Sequence, residues 1–390
     1  MKWQNWSGRV TAHPEAIRRP RGEEELAEFV SRGERTNGEI RVVGSAHSHS
    51  PVAATDGLLL DLSDLSGLID FDRGHMEVTL AAGTAIHQIG PLLRPHGLAL
   101  LNQGDIDRQA IAGAVATGTH GTGRTLGNFP SAVRAMTMIT ADGSTVRCSP
   151  RENPDLFEAS RLSLGAFGVV TRLTLAVRDS YRLHERIWLE DLDSVMARID
   201  ELFAATRHFE FFWYPGRTRA VCKSLEETEA GPDPMEDNRW ERIGWSDEII
   251  SSERNDLHTE IEYSLPAESG PACLNELRAL ISAEFPDLEW PLEYRAVAAD
   301  DVWLSPAHGR DTVTISVHQG IGHDDEPLFR ACEGIFTRYE GRPHWGKVHF
   351  LDGGDLAKLH PHWRSWWRQR DLADPTGRFL NTHLRSWVGR

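Results

Sequence analysis

Apolar positions in the first 180 residues switch repeatedly between helical and strand periods. Leu26, Phe29 and Val30 share one face of Glu23–Arg32, which predicts an amphipathic helix. Glu39–Val43 (EIRVV), Leu58–Leu62 (LLLDL) and His75–Leu80 (HMEVTL) are short apolar runs bounded by turn residues, and each predicts a strand. Ile86–Leu93 predicts a short helix with Pro91 near one end, since proline cannot donate inside a helix. Ala132–Arg147 predicts a strand pair turning at Ala141-Asp142-Gly143-Ser144, and Gly168–Val177 predicts a strand that closes a first unit.

The second half has a different texture. Three aromatic-rich strands are expected at His208–Tyr214, Trp290–Val297 and Thr312–Gln319. Side chains two apart on a strand share a face. Glu293 and Arg295 therefore lie together, as do Thr312, Thr314, Ser316 and His318, opposite Val313, Ile315 and Val317. By pattern alone such polar faces meet solvent. Between Glu226 and Glu260, twelve acidic residues oppose only Arg239, Arg242 and Arg254, which predicts a solvated, partly helical insertion. In the tail, Trp363, Trp366 and Trp367 fall at helical spacing and predict a docking face.

Length and charge narrow the classes. A chain of 390 residues suggests two or three folded units. The net charge of −16 argues against a nucleic-acid partner, which needs a basic face, and against a polybasic membrane anchor. The opening MKWQNWSGRV lacks the apolar core of a signal peptide, and no apolar run is long enough to span a bilayer. Cys148, Cys222, Cys273 and Cys332 are widely spaced, which indicates reduced thiols and a cytoplasmic protein rather than a disulfide scaffold.

Three glycine-rich segments are candidates for holding a phosphate. They are Arg41–Ser50, Ile111–Gly123 and Ser163–Val170. Small residues let successive backbone N–H groups approach an anion closely. Neither G-x-G-x-x-G nor a P-loop pattern occurs, so a Rossmann or P-loop site is not expected. His47 and His49 form an H-x-H pair that on a strand would share a face and suit zinc, but no third ligand lies nearby in sequence. No metal site is expected. A binding module without turnover and a zinc hydrolase remain as alternatives of other classes.

The segments VVGSAHSHS, AIAGAVATGTHGTG and LSLGAFGVVTRLTL resemble the FAD-binding domain of the vanillyl-alcohol-oxidase family. EYRAVAADDVWLSPAHGRD, RPHWGKVHF and DPTGRFLNTHL are similar to alditol oxidases and sugar-1,4-lactone oxidases. The resemblance spans essentially the whole chain. It implies an α+β fold of two domains: an FAD-binding domain at 1–177, a substrate (cap) domain with an antiparallel sheet at 178–355, and a tail, 356–390, that returns to the FAD domain. It implies FAD contacts from Arg41, Val42, Val43, Gly44, Ser45, Ala46, His47, Ser48, Gly104, Ala110, Gly113, Thr117, Gly118, Thr119, His120, Gly168 and Val170. It implies a covalent bond from His47 to the flavin 8α-methyl group; His49 falls where the family usually has another residue.

The resemblance also brings Glu293, Arg295 and Lys347 to a substrate pocket as the catalytic set, joined in substrate binding by Asp105, Ser316 and His318. Alditol oxidases carry His and Thr at the last two positions and a small hydroxyl residue at Asp105, so the resemblance leaves the substrate open between alditol and lactone; Val317-His318 is nearer the lactone-oxidising branch. Gly104 implies an open path for oxygen to the flavin. The expected activity is FAD-dependent oxidation of a polyol or aldono-1,4-lactone, with O2 reduced to hydrogen peroxide. The alternatives are a dehydrogenase of the same fold with another acceptor, and a tailoring oxidase of a specialised metabolite.

Overall fold

The computed structural model describes residues 1–32, 38–231, 240–252 and 256–388. Glu23–Arg32 is a helix that buries Leu26 and Val30. It packs with a parallel three-stranded sheet ordered Ala16–Arg18, Leu58–Asp61, Ile40–Val43. An antiparallel sheet follows, ordered Thr145–Cys148, Val133–Ile139, Val169–Asp179, Glu77–Ala81, Leu68–Asp72, with Leu98–Leu100 paired to the far end of Val169–Asp179. The turn at 141–144 and the helix Ile86–Leu93 lie where the pattern puts them, and Pro91 sits in that helix's last turn.

An eight-stranded antiparallel sheet forms the second layer. Its order is Glu241–Trp245, Arg182–Asp191, Arg219–Thr228, His208–Trp213, Leu292–Val297, Thr312–Gly320, His258–Pro266, Arg342–Pro343. Val313, Ile315 and Val317 share a core with the helices Gly270–Glu284 and Glu326–Arg338. The opposite face is polar yet buried, because it turns toward the first unit rather than toward solvent.

The tail helix Trp363–Ala373 buries Trp363 and Trp366 in the same core as Phe157, Phe167 and Leu162. Trp366 Nε1 donates to the Leu162 carbonyl at 3.0 Å, and its ring meets Phe167 edge-on at 5.1 Å. The solvated insertion needs correction. Glu226 and Glu227 end one sheet strand, Glu241 begins another, and Glu260 is buried inside a third. Asp233, Glu236, Asp237, Arg239, Glu253 and Arg254 lie outside the described residues.

Candidate active site

Strand register gathers the polar groups. Cross-strand partners share a face. One row across the large sheet runs Lys223, Glu210, Arg295, Thr314 and Ser264. The next runs Phe212, Glu293, Ser316 and Glu262, and a third pairs His318 with Glu260. From these rows Lys223, Arg295, Phe212, Glu293, Glu262 and Glu260 form one wall of a cavity of about 960 Å³. Trp6, His47, Gly104, Asp105, Thr119 and His120 are among the residues that face it from the first unit.

The cations of this wall are each held by carboxylates. Arg295 donates to Glu262 Oε2 at 2.7 Å, with Glu293 Oε2 at 3.5 Å. Ser316 Oγ donates to the same Glu262 oxygen at 2.8 Å, and His120 Nε2 lies 2.6 Å from the other. Lys347 Nζ contacts Glu260 Oε2. Burial opposes the charge of Glu262, but Arg295 and His120 outweigh it and hold its carboxyl well below the usual range. Lys347 likewise outweighs burial and lowers Glu260. Lys223 lies 3.1 Å from Glu210 and 3.7 Å from Asp105. Burial, then the charge of Asp105, pushes the Glu210 carboxyl up to about 7.

A second, narrower slot adjoins the cavity. Its walls come from the three glycine segments: 41–48, 109–117 around Gly113, and 163–170. A Cβ on Gly44 would stand 2.5 Å from Ala110 Cβ, so the first two segments meet only because Gly44 lacks one. Ala46 adopts φ 55°, a left-handed conformation unusual for alanine. The backbone N–H groups of Ser45, Ala46, His47 and Ser48 have no acceptor among the described residues. His47 lines both the slot and the cavity. Burial, then the charges of Lys347 and Arg108, lowers its pKa to about 4, so its ring is neutral at pH 7.

Hydrogen bonds couple the two compartments. His49 N donates to the Gly346 carbonyl at 2.7 Å, and Ser50 Oγ donates to the Trp345 carbonyl at 2.7 Å. The loop carrying Lys347 is thereby fastened to the loop carrying His47.

Of the expected FAD contacts, residues 41–48, Ala110, Gly113, Thr117, Gly168 and Val170 line the slot. Arg41 has a second set of contacts. Its guanidinium is buried and donates to the carbonyls of Val52, Leu164, Gly165 and Phe379, so it braces the slot from behind. Thr119 and His120 line the cavity instead, and His120 is engaged by Glu262. Gly118 lines neither: at φ 78° it ends the helix Ile111–Thr117. Of the expected substrate residues, Asp105, Glu293, Arg295 and Lys347 line the cavity. Ser316 and His318 stand behind its wall, on Glu262 and beside Glu260. A Cβ on Gly104 would come 2.9 Å from the His120 carbonyl, so close packing accounts for this glycine without an oxygen path. Sequence reasoning missed Glu260, Glu262, Glu210 and Lys223; the alternation Glu260-Ile261-Glu262-Tyr263 was the available signal for the first two.

The D-arabinono-1,4-lactone oxidase family pattern matches residues 173–253 and 235–387, and an FAD-binding domain pattern matches 14–149. The chain is 33% identical to an L-gulono-1,4-lactone dehydrogenase of Mycobacterium tuberculosis, over 99% of each chain. The chain belongs to the D-arabinono-1,4-lactone oxidase family. Other similar members are an alditol oxidase of a Streptomyces species, 32% identical, and an L-gulonolactone oxidase of Mus musculus, 29% identical, each over 98% of this chain and 97% of the relative. Cholesterol oxidase from B. sterolicum shares the fold, with a TM-score of 0.88 at 15% identity over 99% of this chain and 96% of that one. As in this family, the first unit is an FAD-binding domain and the second is built on an antiparallel sheet. The slot fits such a cofactor: it offers free amide donors at 45–48, and a Cβ on Gly113 would project with no heavy atom within 4 Å.

Proposed function

We propose that this protein oxidises a CH–OH group of an aldono-1,4-lactone or alditol, with FAD held in the slot and O2 as the final acceptor. The observation that carries the reading is a cavity where Arg295 and Lys347, each paired with a buried glutamate, face the space into which His47 also opens. Bound FAD supplies the hydride acceptor. Residues 44–48 and 110–117 would hold it, and His47, neutral at pH 7, would be the residue to carry a covalent tether. Arg295 and Lys347 bind the substrate oxygen and stabilise the negative charge that grows on it as its proton leaves. Glu293 accepts hydrogen bonds from neighbouring hydroxyls and, with Glu262, keeps Arg295 in place. The carbonyl product and hydrogen peroxide account for the two electrons and two protons removed.

The name of the mycobacterial relative supports a second reading, in which a non-oxygen acceptor takes the electrons. Anaerobic mixing with L-gulono-1,4-lactone or xylitol should bleach the yellow protein. Admitting air should restore the colour and release peroxide. No bleaching with either class of compound rejects the substrate reading. Bleaching without reoxidation by air, but with reoxidation by a dye, rejects the oxidase.

A further inference from the structure

Glu260 is ringed by imidazoles. His49 Nε2 lies 3.9 Å from its Oε2, and His318 Nε2 lies 3.7 Å from its Oε1, both too long for hydrogen bonds. The His258 ring centroid is 5.8 Å from that of His49 and 5.3 Å from that of His318. All four residues are buried.

The backbone fixes two of the three tautomers. A carbonyl oxygen can only accept. His258 Nδ1, 3.0 Å from the Asp256 carbonyl, and His318 Nδ1, 2.8 Å from the Pro291 carbonyl, therefore carry the protons. In a neutral ring the lone pair is then on Nε2. This carbonyl-oriented arrangement is the one that metal-ligating histidines adopt. His49 is 4% exposed, and its Nδ1 has no hydrogen-bond partner. One ligand atom each from His49, His258 and Glu260 lie within 4.8 Å of one another.

We propose that His49, His258 and Glu260 form a site for one divalent transition-metal ion of the Zn2+ type. Two imidazole nitrogens and a carboxylate oxygen are the donors such ions prefer, and a water from the cavity completes four-coordination. All three residues line the cavity, so the ion reaches them from solvent. Lys347 occupies the Glu260 oxygen that faces His49. Ammonium and metal therefore compete for one oxygen, and the ion binds by displacing Lys347. The H-x-H pair at His47 and His49 thus contributes one ligand, and the others come from a strand more than 200 residues away.

Calorimetric titration of the chelator-stripped, FAD-loaded protein with ZnCl2 tests this, and binding is read directly without turnover. One ion per chain is expected. His258→Ala should weaken binding by more than about tenfold, and Lys347→Met should strengthen it. Glu260→Gln keeps the side-chain shape and should weaken binding in the same way if His258→Ala fails to fold, which FAD content and melting temperature report. Absence of saturable one-to-one binding overturns the proposal. So does binding that is unchanged in both ligand variants, which would place the ion elsewhere, for example at the exposed His75–Asp72 pair.

Discussion

His47 stands where slot and cavity meet, and its low pKa of about 4 leaves a lone pair available at neutral pH. His47→Ala should leave FAD extractable by acid, whereas acid-precipitated wild-type protein should stay yellow; flavin that remains bound to the pellet in the variant would assign the tether elsewhere. The resemblance placed this residue, with Glu293, Arg295 and Lys347, at the site because the motifs that carry it are local in sequence. Glu260 was not so placed. It closes a stretch of twelve acidic residues, most of which look solvated, and only the two-residue alternation of His258–Pro266 separates it from them. Its partner Lys347 is 87 residues away, a distance that no local pattern spans.

Among the elements, the helices at 23–32 and 86–93 and the strand pair turning at 141–144 were legible from their pattern, whereas the helices Gly270–Glu284 and Glu326–Arg338 and the strand His258–Pro266 were not, and neither was the order of the large sheet. Placing His258–Pro266 beside Thr312–Gly320 sets Glu262 opposite Ser316, and a shift of one residue would turn both glutamates into the apolar core. The tail helix shows the same limit in another form. Its tryptophan stripe predicts docking, and Phe157, Phe167 and Leu162 supply the dock. Trp366→Ala removes a buried indole, its hydrogen bond to Leu162 and its contact with Phe167. The expected loss is about 3–5 kcal/mol, read from the midpoint of denaturant unfolding. A loss below about 1 kcal/mol would mean that the tail adds little to the stability of the first unit.

Across the whole molecule, the acidic excess turns out to enter the site. Glu185, Glu210, Glu260, Glu262 and Glu293 are all buried around the cavity wall, so the charge that excluded nucleic acid is not confined to a solvated surface. One consequence is a pH dependence of folding. Burial and Asp105 raise Glu210 to about 7. Below about pH 4.3 both folded and unfolded chains hold its proton. Above that, the unfolded chain releases it first, so stability falls as pH rises and levels off once the folded group ionises near pH 7. Melting curves of wild type and Glu210→Gln should therefore diverge between about pH 4.3 and 7, with the wild type losing ground. A constant difference across that range would show that Lys223 keeps Glu210 ionised throughout.

Behind the slot Arg41 donates to the carbonyl of Phe379, and Asn381 Nδ2 donates to the carbonyls of Pro51 and Ala54 at 2.8 Å each. Segments more than 320 residues apart thus brace the same compartment. During synthesis, residues 379–381 leave the ribosome more than 320 residues after the segment they brace. The compartment lacks this brace until then, so the wall at 41–54 is fully held only after residues 379–381 have followed it out.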